Sequence, residues 1–88
     1  MAEAIVRIEN PKGLHIRPIM DIADLAIQYD SRIVVHKNDR QAEGSSVMQL
    51  LALGIECGDE LRIVADGDDA QKAVHALLEL ITTGLKDA

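Results

Sequence analysis

The hydrophobic pattern of this chain switches several times between strict alternation and helical spacing, and the order of these patterns restricts the fold more than any other feature. Ala4, Val6 and Ile8 alternate with mainly polar neighbours, which is typical of a half-buried strand. The last segment instead spaces its apolar residues about 3.6 apart, as an amphipathic helix does. This helical stripe consists of Ala70, Ala73, Val74, Leu77 and Ile81. In chain order the patterns predict β-α-β-β-α-β-α.

Turn and cap residues give the approximate limits of these elements. We expect strands near residues 3–9, 31–37, 40–43 and 61–65, and helices near 16–29, 47–53 and 70–83. Asn38-Asp39 suits a tight turn, Asp68 or Asp69 can cap the last helix, and Gly84 can stop it. Alternating strands with one solvated face favour an α+β fold with helices on one side of a mainly antiparallel sheet.

Composition restricts both the core and the class of protein. The 88 residues suffice for one domain, residues 1–88, and Tyr29 is the only aromatic residue, so the core must be aliphatic. A net charge of −6 and the lack of stacking aromatics argue against nucleic acid binding. Cys57 is the only cysteine, which excludes an internal disulfide. With no leader and no long apolar run, we expect a cytoplasmic protein outside the membrane.

The segment Gly13-Leu14-His15-Ile16-Arg17-Pro18-Ile19-Met20 is the strongest functional signal. Pro18 is tolerated only in a first helical turn, so the helix must have just begun and His15 should occupy its N-cap. Free backbone N–H groups and the helix dipole favour an anion there. Arg17 adds a guanidinium that suits phosphate oxygens. The pattern therefore indicates a phosphoryl group carried on His15, although a histidine at this position can also be a simple polar cap beside a solvated arginine.

The first predicted helix has a wider apolar surface than one core face requires. A helical projection puts one group toward the sheet and leaves Ile16, Met20 and Ile27 on a neighbouring strip. Val47, Met48 and Leu51 of the second helix provide a further apolar patch. We interpret these residues as a docking surface, or as residues that merely pack on one another. The group that we expect against the sheet is Ile19, Ile22, Ala23, Ala26 and Tyr29.

Ser46 begins the second helix, and serine is a preferred N-cap residue. The same hydroxyl is suited to phosphorylation, since the added charge meets a helix N-terminus, and Ser45 is an equal candidate on chemistry alone. His36 and His75 are expected on solvated faces, and Cys57 in a loop. None of these has metal-ligand spacing, and no glycine-rich nucleotide loop is present, so we expect neither a metal site nor bound ATP.

These motifs together resemble the HPr family, the histidine-containing phosphocarriers of the bacterial sugar phosphotransferase system. The resemblance runs from the first strand to the last helix. Its motifs are Gly13-Leu14-His15 with Arg17-Pro18, Tyr29-Asp30, Ser46-Val47-Met48, Leu53-Gly54-Ile55, and Ala65-Asp66-Gly67 with Asp69.

The resemblance implies an open-faced β-sandwich with three helices over a four-stranded antiparallel sheet. It implies that His15 takes a phosphoryl group on Nδ1 from enzyme I and passes it to enzyme II A domains. Arg17 and the amides of Ile16 and Arg17 would hold the phosphate, and Ser46 would match the serine modified by HPr kinase/phosphorylase. The implied docking residues are Ile16, Met20, Asp24, Ile27, Val47, Met48, Leu51 and Ala52.

The resemblance also implies a monomeric relay protein without cofactors, and not an enzyme. Several positions depart from the family pattern: Ile16 and Ile19 stand where alanine is usual, and Ser45 where lysine is common. The docking region carries Asp21, Asp24, Gln49 and Glu56 where many relatives have lysines. An alternative is therefore a regulatory paralogue that acts through Ser46 and a transcription regulator, with little flux through His15. A protein that serves only in assembly is a third hypothesis.

Overall fold

The computed structural model describes residues 1–84, and within that range one antiparallel sheet of four strands carries the fold. The strands are β1 (Ala2–Arg7), β2 (Arg32–Lys37), β3 (Arg40–Glu43) and β4 (Glu60–Asp66), in the order β1-β4-β2-β3. Ile63 of β4 lies opposite Ala4 of β1 on one side and Val35 of β2 on the other. These inward residues belong to the core or pack against it, whereas the outer face carries charged residues beside Ile5, Val34 and Val64, so the helices cover only the inner face.

Three helical segments of the described chain provide that cover. They are α1 (Ile16–Ile27), α2 (Val47–Ala52) and α3 (Ala70–Glu79), and α3 continues into a π-helical turn at Leu80–Gly84. Helix α3 packs on β1 and β4, α2 packs on β3, and α1 contacts both other helices. The predicted α+β open-faced sandwich and the order β-α-β-β-α-β-α are confirmed.

The core is aliphatic, as the composition predicts. Tyr29 is only partly buried and packs against the edge of this core. Fully burying one such aliphatic side chain stabilises the fold by about 1.5–3 kcal/mol, so many small contributions replace the few large ones that aromatic rings would supply. The largest side chains less than 2% exposed are Ile8, Ile19, Leu50, Leu61, Ile63, Leu77 and Pro18.

Two helices end earlier than the sequence pattern predicts. Helix α1 ends at Ile27 and not at Tyr29, because the amides of Gln28 and Tyr29 bond three residues back, to the carbonyls of Leu25 and Ala26 at 3.1 and 3.3 Å. Such bonds tighten the last turn and stop the helix. Helix α2 is likewise one residue shorter than expected, with Leu53 as its C-cap.

The prediction that Asp68 or Asp69 caps the last helix is confirmed for the position of Asp69 but not for its side chain. Asp69 holds the N-cap position of α3, but its side chain makes no capping hydrogen bond. Its carboxylate instead accepts hydrogen bonds from the Ser31 hydroxyl (2.5 Å) and amide (2.9 Å) and from the Asp30 amide (2.8 Å). The bonds from Ser31 and then from Asp30 keep the pKa of Asp69 below its ordinary value of 3.8. The side chain thus fastens the start of β2 to the start of α3.

The last helix continues through Thr83 as predicted, but its final turn is π-helical and reaches Gly84. Thr82 and Thr83 donate their hydroxyls to the carbonyls of Leu78 and Glu79, each at 2.7 Å. Whether Gly84 stops the helix depends on residues 85–88, which lie outside the described residues.

Candidate functional site

His15 occupies the N-cap of α1, as predicted, with extended backbone angles (φ −89°, ψ −167°). Its carbonyl accepts the first helical hydrogen bond, from the amide of Ile19 at 3.2 Å. The imidazole is exposed and forms no hydrogen bond with residues 1–84. A capping side chain would accept a hydrogen bond from an amide of the first turn, and the His15 side chain accepts none. His15 is therefore not a polar cap of α1.

The first turn of α1 offers two backbone donors beside this imidazole. The amides of Ile16 and Arg17 have no acceptor within the helix, because each would need a carbonyl four residues back. Pro18, the third helical residue, has no N–H and is buried. Arg17 is exposed, and its guanidinium forms no ion pair among the described residues. A helix end with two free donors and one free cation next to an imidazole suits an anion.

The loop before His15 is held in place by the backbone after α2. The Gly13 amide donates to the Asn10 carbonyl at 2.9 Å, and the Leu14 amide donates to the Ile55 carbonyl at 3.1 Å. Gly13 has φ +66°, and a Cβ built on it would lie 2.8 Å from Cα of Glu56. Only glycine fits this combination of backbone angle and close approach. The position of His15 is therefore set by segment 53–56 as much as by its own loop.

Two cations from the β2–β3 hairpin fix the C-terminal end of α2. Lys37 Nζ donates to the carbonyls of Gly54 (2.6 Å) and Leu53 (3.3 Å), and lies 2.9 Å from Asp59 Oδ2. Arg40 Nη2 donates to the Ala52 carbonyl at 2.7 Å. Cations are favourable where a helix leaves carbonyls without partners. These contacts were not predicted, and their only signal in the sequence is a basic hairpin near a short helix.

Asp59 also holds segment 53–56 in place. Its carboxylate accepts from the Glu56 amide at 2.7 Å, and this bond together with Lys37 keeps the pKa of Asp59 below its ordinary value. The Asp59 carbonyl in turn accepts from the amide of Ile8 at 2.8 Å, directly after β1. The segment that positions Gly13 is thus tied to β1 and β2.

An exposed apolar surface continues from His15 along α1 and across α2. Helices α1 and α2 pack together, and five of their apolar side chains remain exposed by between 38% and 79%. We call these five residues the docking strip: Ile16, Met20, Ile27, Met48 and Leu51. Val47, predicted to belong with them, is half-buried and packs against the core, while Asp24 and Ala52 are exposed beside the strip.

Of the five residues predicted to face the sheet, four are buried in the core, while Tyr29 lies beyond the end of α1 and is only partly buried. Ile19, Ile22, Ala23 and Ala26 are at most 4% exposed. The side chains of the docking strip are exposed to solvent. The alternative interpretation, that these apolar residues merely pack on one another, is therefore wrong for this strip. Exposed apolar side chains grouped in this way are typical of an interaction surface.

Ser46 is the N-cap of α2, as predicted. Its Oγ accepts from the Gln49 amide at 3.2 Å, and Gln49 Oε1 reaches back to accept from the Glu43 amide at 2.9 Å. This is a close variant of the capping box, in which the third helical residue returns a hydrogen bond to the chain before the helix. Ser45 is exposed, and its side chain has no hydrogen bond within residues 1–84.

The other histidines and the cysteine lie away from His15. His36 is half-buried on the outer face of the sheet, beside Val34 and Val64. His75 is exposed on α3 with Nε2 3.1 Å from a Glu79 carboxylate oxygen, and Cys57 is exposed in a loop. Across residues 1–84 we find no grouping of three or more potential metal ligands. Over the same range, every helix is too short or too polar to span a bilayer.

Comparison with known proteins identifies the family. Residues 2–83 match the family described as "PTS HPr component phosphorylation site". The chain is 36% identical over 86 residues to the phosphocarrier protein HPr of Mycoplasma capricolum, with 97% of both chains covered. It is 35% identical to the multiphosphoryl transfer protein of Haemophilus influenzae, but spans only 17% of that longer protein.

A solved structure of the same family agrees with this assignment. The crystal structure of HPr-C-His from Thermoanaerobacter tengcongensis superposes with a TM-score of 0.93 at 32% identity, covering 100% of this chain and 99% of the other. The chain therefore belongs to the HPr family of the phosphotransferase system. It is a phosphocarrier protein and not an enzyme.

Proposed function

We propose that this chain accepts a phosphoryl group on His15 from phosphorylated enzyme I and passes it to enzyme II A domains in the cytoplasm. The observation that carries the proposal is the exposed imidazole of His15 at the N-cap of α1, next to the two free amides of Ile16 and Arg17. The family match over residues 2–83 supports phosphoryl transfer as the chemistry.

In the proposed transfer, the lone pair of His15 Nδ1 forms a bond to phosphorus as the bond between phosphorus and the donor breaks. The donor atom keeps the electron pair of the broken bond. The Arg17 guanidinium and the two amides are placed to balance the charge of the phosphoryl oxygens.

The docking strip gives the partners an apolar surface beside His15. Met20 and Met48 suit this role because flexible thioether side chains adapt to differently shaped partners. We propose that enzyme I and the enzyme II A domains bind this same strip in turn, with Asp24, Val47 and Ala52 at its border. A shared strip makes the relay sequential, since the two partners cannot occupy it together.

The test is phosphoryl transfer from phosphoenolpyruvate through enzyme I of the same organism, followed by intact mass at alkaline pH. We expect one added phosphoryl group that is labile in acid and absent from His15→Ala. His36→Ala and His75→Ala are the matched controls, since both remove an imidazole away from α1. Phosphorylation of His15→Ala at normal stoichiometry would refute the proposal.

A regulatory role for Ser46 is a second candidate. The observation that favours it is the position of Ser46 at the start of α2, one residue before the half-buried Val47 and two before the exposed Met48. Phosphorylation there would place about two negative charges beside the docking strip. HPr kinase/phosphorylase would be the modifying enzyme and a transcription regulator the partner of the modified form.

This role predicts that Ser46→Asp changes the affinity for at least one partner, with Ser45→Asp as the control for added charge alone. Binding would be measured by calorimetry against enzyme I, an enzyme II A domain and a candidate regulator. Equal affinities of Ser46→Asp and the unmodified chain for all three would count against regulation through this residue.

A further inference from the structure

The α1 side of the docking strip is bordered by carboxylates. Asp24 lies four residues after Met20 and three before Ile27, so helical spacing places it next to both. Asp21 is the neighbour of Asp24 on the same edge, three residues earlier. Both are exposed, and neither forms an ion pair within residues 1–84. This edge therefore presents two carboxylates without ion pairs beside an apolar surface, and Arg17, four residues before Asp21, is the one cation of α1.

The two cations of the β2–β3 hairpin are engaged by other groups. Lys37 is only 17% exposed and is held by Asp59 and by the carbonyls after α2. Arg40 is hydrogen-bonded to the Ala52 carbonyl at the far end of α2. Lys12 and Arg17, three residues before and two after His15, are exposed and form no ion pair within residues 1–84. The surface is consequently polarised, with cations at the His15 end and carboxylates along α1.

We propose that the partner surface that receives the docking strip carries lysine or arginine side chains facing Asp21 and Asp24. Complementary charge around an apolar contact speeds association and fixes the orientation of the two proteins. It would bring a basic group of the partner to the edge of α1, and thereby align the partner's reacting group with His15. This inference rests on the proposed function and specifies the chemistry of the partner.

The edge of α1 would act equally in both steps of the relay. Phosphorylation adds negative charge at the His15 end and so changes the polarity there. Asp21 and Asp24 are not themselves modified in the transfer. Donor and acceptor proteins are therefore expected to share the basic groups that face α1, even where their surfaces around the phosphoryl group differ.

The experiment measures kcat/KM for transfer from phosphorylated enzyme I to the chain at ionic strengths from about 0.02 to 0.3 M. The test variant is Asp21→Asn/Asp24→Asn. The matched control is Asp66→Asn/Asp68→Asn, which removes the same charge at and just after the C-terminal end of β4, outside the docking strip. We expect kcat/KM of the test variant to be about three- to tenfold below that of wild type at low salt and equal to it at high salt. The control variant should keep the wild-type kcat/KM at every salt concentration.

The outcomes separate this inference from the function on which it rests. Normal transfer to wild type with an equal or faster rate for Asp21→Asn/Asp24→Asn overturns the inference alone, and indicates a neutral or acidic partner. Equal losses in test and control variants also overturn it, since net charge would then explain the effect. If kcat/KM falls as the concentration of the chain rises, the docking strip binds a second copy of the chain, and the inference is overturned as well. No transfer to wild type from active enzyme I removes both proposals.

Discussion

At the scale of single residues, Gly13 is the position on which the geometry of His15 most depends. It combines φ +66° with an approach to the backbone of Ile55 and Glu56 that leaves no room for a Cβ. Gly54 has nearly the same angle, φ +64°, but nothing lies within 4 Å of the position of its Cβ. Substitution of Gly54 therefore measures the free-energy cost of the backbone angle alone, and substitution of Gly13 measures that cost together with the cost of the close approach.

We predict that Gly54→Ala lowers the free energy of unfolding by about 1 kcal/mol, from backbone strain alone. Gly13→Ala should lower the free energy of unfolding by about 3 kcal/mol, because the backbone of segment 55–56 must also move. Urea unfolding of both variants measures the difference. Transfer to His15 should fall in Gly13→Ala and persist in Gly54→Ala, and equal stabilities of the two would show that the close approach costs nothing.

Asp69 predicts a dependence of stability on acid pH. Hydrogen bonds from Ser31 and Asp30 lower the pKa of Asp69 in the folded state relative to the unfolded chain. The stability that it contributes is present above the unfolded pKa and is lost as the pH falls through the folded pKa. Between about pH 5 and pH 2, wild type should therefore lose more unfolding free energy than Asp69→Asn does. Asp68→Asn, next to it, should follow wild type, and parallel curves for wild type and Asp69→Asn would exclude this linkage.

At the scale of elements, α2 is too short to persist on its own and depends on what holds its ends. Ser46 and Gln49 bond at its start, and Lys37 and Arg40 at its finish. The half of the docking strip that α2 carries therefore depends on contacts with β2, β3 and the chain before the helix.

The cap of α2 gives a matched pair of variants. Ser46→Ala should lower the unfolding free energy by about 1 kcal/mol, because the Gln49 amide loses its acceptor. Ser45→Ala removes a hydroxyl that makes no hydrogen bond within the described chain, and should change stability by less than about 0.5 kcal/mol. Thermal unfolding of both measures the cap directly, and similar midpoints would mean that Ser46 does not stabilise α2.

At the scale of the whole molecule, exposed apolar side chains occur on both sides of the fold, but only those near His15 are proposed to bind partners. Met48 is 79% exposed in the docking strip, and Ile5 is 61% exposed on the outer face of the sheet. Met48→Gln should reduce kcat/KM for phosphoryl transfer about tenfold, because a buried amide would lack partners in the complex. Ile5→Gln should leave transfer unchanged, and circular dichroism would verify that both variants fold. An equal effect of the two would disprove the assigned docking face.

Local features that depend only on neighbouring residues were predictable from the sequence. Alternation in β1 and β4 and helical spacing in α1 and α3 gave the order of elements, because period and burial are linked. Pro18 located the start of α1, and with it the N-cap position of His15, because proline restricts its own turn. Helical geometry placed Met20 on a strip beside the core face, but it left open whether that strip is exposed, and it grouped the half-buried Val47 with the exposed Met48.

Contacts between distant segments could not be predicted in this way. The sequence suggested that Asp69 caps α3, whereas folding brings Ser31 close enough to take its carboxylate. Nothing local indicates that Lys37 would hold the carbonyls after Leu53, or that Gly13 would lie against Glu56.

The sequence by itself thus determined the order of the elements, the family resemblance and the side chain proposed to carry the chemistry, because local spacing and residue type suffice for each. The tertiary structure alone decided how His15 is held, that Lys37 and Arg40 are engaged at the end of α2, and that Asp21 and Asp24 form no ion pair within residues 1–84. These features depend on which segments meet when the sheet closes under its helices. Hydrogen bonds and ion pairs between residues far apart in the chain leave no periodic signal along it.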